Sequence, residues 1–175
     1  LARYRDASSI VYAATRKRVE ELSTKLNAKG LRTLPYHAGL DAVTRERNQR
    51  AFANDVISCI VATVAFGMGI DKSNIRAVIH ANLPKSVEGY YQEVGRAGRD
   101  GLPSECIVFF SDGDAATQQS LTDQAENDAE RARGARQLER IVRFVRSVEC
   151  RHAAILQYFG EQRDHWWDHD YVSLM

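Results

Sequence analysis

VISCIVAT, Val56 to Thr63, is an almost unbroken run of apolar and β-branched side chains. A strand with one face in water alternates polar and apolar residues, whereas a continuous run belongs to a strand covered on both faces, as in parallel sheets. Reading downstream, IRAVIH (Ile75 to His80) and ECIVFF (Glu105 to Phe110) repeat this character, so the same two-sided burial is expected of them. Upstream, SSIVYAA (Ser8 to Ala14) and LRTLPYH (Leu31 to His37) are two further short strands. Helical stretches separate them. Val19, Leu22 and Leu26 form a stripe with Thr15 as N-cap and Gly30 just past its end, Asp41 opens a polar helix reaching Phe52, and another helix starts near Ser86. Strands alternating with helices imply right-handed crossovers and a mostly parallel α/β sheet.

Beyond Ser111 the pattern changes. Asp112 to Asp128 is acidic and polar, Leu138, Ile141, Val142, Val145 and Val148 then recur at helical spacing, and a last helix gathers Ile155, Leu156, Tyr158 and Phe159. The predicted division is an α/β domain over residues 1–115 and a small α-helical appendage over 116–175. A chain of 175 residues with 44% hydrophobic side chains can bury one good core with such an addition. Its net charge of +1 excludes a general polybasic field, so any anion site must be built from placed residues. Cys59, Cys106 and Cys150 are too scattered for a disulfide framework, which fits a reducing compartment. No apolar run is long enough to span a membrane, and LARYRDASS is not a secretory signal. Leu1 suggests a start cut into a longer protein.

Parallel sheets collect ligands outside the carboxyl ends of their strands. Three polar segments belong there: Ala14-Thr15-Arg16, the loop from Thr63 to Lys72, and the stretch holding Arg96 and Arg99. Thr15 reads alone as an ordinary helix cap, the commoner use of such a threonine, with a phosphate grip as the alternative. Gly67 and Gly69 permit a sharp loop after a buried strand. Asp71 and Lys72 beyond it read alone as a functional pair or as solvated charges. Neither a Walker loop nor a dinucleotide fingerprint is present. YYQEVGRAGRDG, Tyr90 to Gly101, sets two arginines one helical turn apart among three glycines. Arginine suits phosphate oxygens because it is planar, permanently charged and donates in pairs. The alternative is a solvated arginine cap on a helix C-terminus.

Four segments together resemble the second RecA-like motor domain of superfamily 2 helicases, specifically the RecQ DNA helicase family. IVYAATRKRVEEL is similar to motif IV, YHAGL to the short segment after it, VATVAFGMGIDK to motif V and YYQEVGRAGRDGLPSE to motif VI. CRHAAILQYFGE resembles the start of the RecQ zinc-binding subdomain. The implied fold is a RecA-like parallel sheet flanked by helices, with the appendage following. The resemblance implies ATP and Mg2+ held in a cleft between this domain and a first RecA-like domain of the same protein. It implies Arg99 as the arginine finger, Arg96 beside it on the γ-phosphate, and Asp71, Gln92 and Gly69 near the nucleotide. Thr15, Arg16, His37, Gly39 and Thr63 map onto segments that touch the backbone of single-stranded DNA. Partly duplex DNA is the further expected partner, with roles in DNA repair and recombination. The implied localisation is nucleoid-associated in a bacterial cytoplasm, or nuclear in a eukaryote. His37 read alone is a satisfied histidine at a strand end.

Two departures accompany the likeness. The Walker lysine loop and the DEAH-type box are absent, so this chain alone is expected to be inactive. The family follows CRHAAILQYFGE with clustered cysteines, whereas here QRDHWWDHDYVSLM ends the chain. Cys150 is therefore a metal ligand only with substitutes such as His165 and His169, and tight zinc binding is not expected. Trp166 and Trp167 offer stacking surface for bases or packing for the helical hairpin. The other readings are the C-terminal domain of a DEAD/DEAH-type RNA helicase, and a non-catalytic DNA- or protein-binding module.

Overall fold

The computed structural model describes residue 4, residues 6–67 and residues 70–161. Five short strands, β1 (Ser9–Tyr12), β2 (Thr33–Tyr36), β3 (Cys59–Ala62), β4 (Ala77–His80) and β5 (Glu105–Val108), form one sheet in the order β2-β3-β1-β4-β5. Every pairing is parallel. Helices α1 (Arg16–Ala28), α2 (Ala42–Ala53) and α3 (Val87–Val94) connect the strands, and α4 (Asp112–Asp123), α5 (Asp128–Arg146) and α6 (Arg151–Tyr158) follow β5. The doubly covered α/β architecture read from the apolar runs is the architecture observed.

The period of two along the strands divides the core. Ile10, Tyr12, Ile60, Ala62 and Val78 face one side with Phe52 of α2 and Phe66, and Val11, Ala13, Cys59, Val61, Ala77 and Ile79 face the other with Val19 of α1. Helix starts are set by local chemistry: Thr15, Asp41, Ser86, Ser111 and Asn127 each accept a hydrogen bond from a backbone N–H in the first turn of the following helix.

A third core joins the appendage to the α/β unit. Val87 and Tyr90 of α3 pack with Leu83, with Leu138, Ile141 and Phe144 of α5 and with Ile155 of α6. Val94, at the end of α3, touches this core and also the sheet core. Helix α3 is therefore shared by both parts of the molecule.

Three expectations change. β5 is an edge strand of half-buried residues, and Phe109 beyond it is 61% exposed, because β5 has only β4 as a neighbour. The acidic stretch after Ser111 is the helix α4, which lacks a buried stripe and is started by a Ser111–Asp114 capping box. The apolar stripe of α5 is completed by Phe144, while Val148 lies beyond the helix end in full solvent.

Candidate functional site

The carboxyl edge of the sheet brings the first set of residues together. Thr15 caps α1 at the end of β1, accepting from the Arg18 N–H at 3.2 Å, so the cap reading of this threonine holds as geometry. Arg16 follows in the first turn of α1, and its side chain lies over Gly39: a Cβ at Gly39 would stand 3.0 Å from Arg16 Cδ and 3.2 Å from His37 Nδ1. His37 is buried with both ring nitrogens engaged, Nε2 to Glu20 Oε1 at 2.8 Å and Nδ1 accepting from the Gly39 N–H at 3.2 Å. That leaves the ring no free polar atom for a DNA phosphate, so His37 shapes the 37–40 turn instead. Thr63 sits at the end of β3, with its N–H donating to the Tyr36 carbonyl oxygen at 3.1 Å. Thr15, Arg16, Gly39 and Thr63 thus lie along one edge, beyond the carboxyl ends of β1, β2 and β3.

The second set gathers around the 63–72 loop and the segment after α3. Ser86 caps α3, which ends at Val94, so Arg96 and Arg99 lie in the turn beyond the helix and not one helical turn apart within it. Gly98, at φ +61°, turns the chain between them, and a Cβ there would fall 2.9 Å from the Leu102 carbonyl oxygen. The two arginines differ in placement. Arg96 is half-buried and donates from Nη1 to the Gly67 carbonyl oxygen at 2.7 Å, while its Nε has no hydrogen-bond partner. Arg99 is exposed and, among the described residues, is held by long bonds from Nε to the Gly95 oxygen at 3.2 Å and from Nη1 to the Ile70 oxygen at 3.4 Å. Asp71 and Gln92 are exposed, Asp71 on the same loop as Gly67 and Ile70 and Gln92 on α3. Gly69 lies outside the described residues.

Lys72 is not part of a solvated pair. It is buried, and its Nζ donates to Asp55 Oδ1 at 2.8 Å and lies 5.4 Å from the Phe52 ring centroid. Lys72 holds the Asp55 carboxyl below its ordinary range, and Ser8 adds a second hydrogen bond at 3.0 Å. Asp100 is also committed: both of its oxygens accept from Arg76 Nη2 at 2.6 Å, and this bond lowers its carboxyl. These pairs anchor the chain at the end of the 63–72 loop and just beyond Arg99.

Several supporting residues carry no sequence signal. Tyr12, inside an apolar run, donates to the Phe66 carbonyl oxygen at 3.0 Å. His80 and Glu93 form a buried pair at 2.6 Å, joining the end of β4 to α3. Asn82 binds the Ala14 N–H through Oδ1 at 3.4 Å and donates through Nδ2 to Asp114 Oδ1 at 3.0 Å, tying the start of α1 to α4. Only pairing across distant segments could have exposed them.

The first 101 residues match the helicase conserved C-terminal domain family. The chain belongs to that family. Residues 112–166 match the RecQ zinc-binding family, so the helicase domain is followed by the module expected from the RecQ likeness. Among relatives, the chain is 45% identical over 158 residues to the ATP-dependent DNA helicase RecQ of Bacillus subtilis, covering 90% of this chain and 27% of the relative. It is 44% identical over 156 residues to the protein of the same name in Pasteurella multocida, covering 89% and 25%. The chain therefore spans about a quarter of the length of these relatives. Among solved structures, the Mycobacterium smegmatis helicase Lhr bound to ssDNA and AMP-PNP superimposes with a TM-score of 0.55 at 26% identity, over 67% of this chain and 17% of that one. The chain is a helicase C-terminal domain of the RecQ type, and the DEAD-box alternative has less support.

Cys150 is half-buried at the N-cap of α6 and makes no side-chain capping bond. Among the described residues no three His, Cys, Asp or Glu side chains are grouped to hold a metal ion. His165, His169, Trp166 and Trp167 lie outside the described residues.

Proposed function

We propose that the chain is the second motor domain of an ATP-dependent DNA helicase, with Arg99 as the arginine finger and the carboxyl edge as part of the single-stranded DNA grip. One observation carries the reading. The 63–72 loop begins at the edge shared with Thr15, Arg16 and Gly39, and its far part is held under Arg96 and Arg99. Groups suited to a DNA backbone and groups suited to a γ-phosphate are therefore linked by one short segment.

In this reading a first RecA-like domain supplies the phosphate cradle and Mg2+ ligands, which this chain lacks. Arg99 is exposed and weakly held, so it can swing to an anion arriving from that partner domain, with Gln92 and Asp71 beside the closing interface. The weak carbonyl bonds it leaves are replaced by charge-assisted ones. Arg96 is less free, and turning it to a γ-phosphate costs the Gly67 contact. Backbone contacts from Arg16, hydroxyls and amides grip DNA without reading sequence. His37 contributes by fixing Gly39.

The test is steady-state ATP hydrolysis with saturating single-stranded DNA, in a protein carrying both motor domains. Arg99→Ala should lower kcat by roughly 10³-fold or more while KM for ATP changes little, since a finger acts on the transition state. Arg99→Lys should not restore it, because a point charge lacks the planar donor pair. Parental turnover in Arg99→Ala would leave the non-catalytic binding module as the better reading.

A further inference from the structure

Two consecutive carbonyls of the 63–72 loop are taken by two side chains from distant parts of the chain. The Phe66 oxygen accepts from the Tyr12 hydroxyl at 3.0 Å, and the Gly67 oxygen accepts from Arg96 Nη1 at 2.7 Å. Tyr12 is the last residue of β1 and is 3% exposed. Its ring stacks on His80 at 5.5 Å and 24°, and His80 in turn is bonded to Glu93, three residues before Arg96. On the other side, Phe66 is gripped edge-on by Tyr36 at 4.7 Å and Phe52 at 5.8 Å. The contacts close a ring: Tyr12 to the loop, the loop to Arg96, Arg96 along the chain to Glu93, Glu93 to His80, and His80 back to Tyr12.

We infer that Tyr12 is a positioning residue, whose hydroxyl sets the Phe66–Gly67 peptide and so the seat of Arg96. The activity arm of its test rests on the motor-domain reading; the structural arm does not. A phenylalanine at this place would fill the same core volume and keep the ring stack. Only the hydroxyl reaches the loop. Burial pushes the Tyr12 phenol up to about 12, although Arg96 beside it pulls the other way, so the hydroxyl stays a donor at any working pH. A peptide whose carbonyl is held fixes where Gly67 begins, and only the two backbone torsions of Gly67 then separate it from the carbonyl that seats Arg96. Among the described residues Arg96 reaches the loop through one hydrogen bond, to the Gly67 oxygen, and its guanidinium also lies beside the Tyr12 hydroxyl, so its place depends on that carbonyl and on Tyr12 itself.

Tyr12→Phe tests this in two arms. In this chain, amide exchange across residues 63–67 should rise about tenfold, as the loss of one hydrogen bond implies, while the thermal midpoint stays close to that of the parent. Arg96→Ala should raise exchange in the same residues, and the double variant should exceed neither single one by much, as coupled sites do. Unchanged exchange in Tyr12→Phe, or a rise spread evenly over the whole chain, would overturn the inference. In a protein carrying both motor domains, Tyr12→Phe should lower DNA-stimulated kcat about three- to tenfold with KM for ATP unaltered. Parental kcat there would also overturn it. If the parent itself fails to hydrolyse ATP, the motor reading falls, and the exchange arm decides alone.

Discussion

At the scale of single residues, the two arginines of GRAGR are unlike each other: Arg96 is tucked under a loop and Arg99 reaches outward. The contact that separates them can be broken from the far side. A Cβ at Gly67 would lie 2.9 Å from Arg96 Cζ and closer still to Nη2, against the end of a flexible side chain and not against backbone. Gly67→Ala should therefore expel the Arg96 guanidinium and leave the fold standing. In a two-domain protein its ATPase profile should match that of Arg96→Ala, with a urea midpoint near parental; a normal profile would show that Arg96 finds its seat elsewhere. Lys72 supplies a second residue-scale test. Its bond depresses the Asp55 carboxyl, so that contribution to stability is present above the ordinary carboxylate range near pH 4 and lost as pH falls through the depressed value. Lys72→Met keeps the buried stem but removes the pair, and should cost about 1 kcal/mol at pH 7. The gap between parent and variant should narrow by pH 3 in urea titrations, and a gap that widens in acid would contradict the assignment.

At the scale of elements, helix α1 presents its first turn to the 37–40 turn through a contact that a Cβ at Gly39 would crowd. Gly39→Ala should press on Arg16 and weaken single-stranded DNA binding in the same direction as Arg16→Ala, though less. Anisotropy over a salt series reads both: Arg16→Ala should lower the slope by about one phosphate contact, evenly across sequences. An unchanged slope would remove Arg16 from the DNA surface. This level also separates what the sequence made legible from what it did not. VISCIVAT, IRAVIH and the caps at Thr15, Asp41 and Ser86 announced their elements because periodicity and capping are local properties. α4 was hidden, since its helix depends on a capping box and on α5 and not on an apolar stripe of its own. The site motifs were legible as residue types in order, and the edge cluster of Thr15, Arg16, Gly39 and Thr63 followed from topology. The bonds of Tyr12, His80 and Asp55 were not legible, because each joins segments far apart in the chain and none changes the local pattern.

At the scale of the whole molecule, α3 belongs to two cores at once, with Val87 and Tyr90 packed on α5 and α6 and Val94 reaching the sheet core. Glu88 of α3 adds a polar tie, accepting from the Tyr158 hydroxyl of α6 at 2.5 Å. The appendage should consequently not melt by itself. Ile141 is fully buried in the third core, and Ile141→Ala should cost about 2–5 kcal/mol. It should lower a single transition seen alike by far-ultraviolet circular dichroism and by Tyr90-region fluorescence or exchange; an early separate transition in the variant would show that the appendage folds independently. The 63–72 loop has a different consequence, one for heredity. Its start lies at the carboxyl edge of the sheet and its later part is bonded to the arginines, so a lesion at either end displaces the same short piece of chain. A selection for revertants of a crippling Thr63 allele should return second-site changes clustered around Tyr12, Gly67 and Arg96, because these are the places from which the common segment can be pushed back.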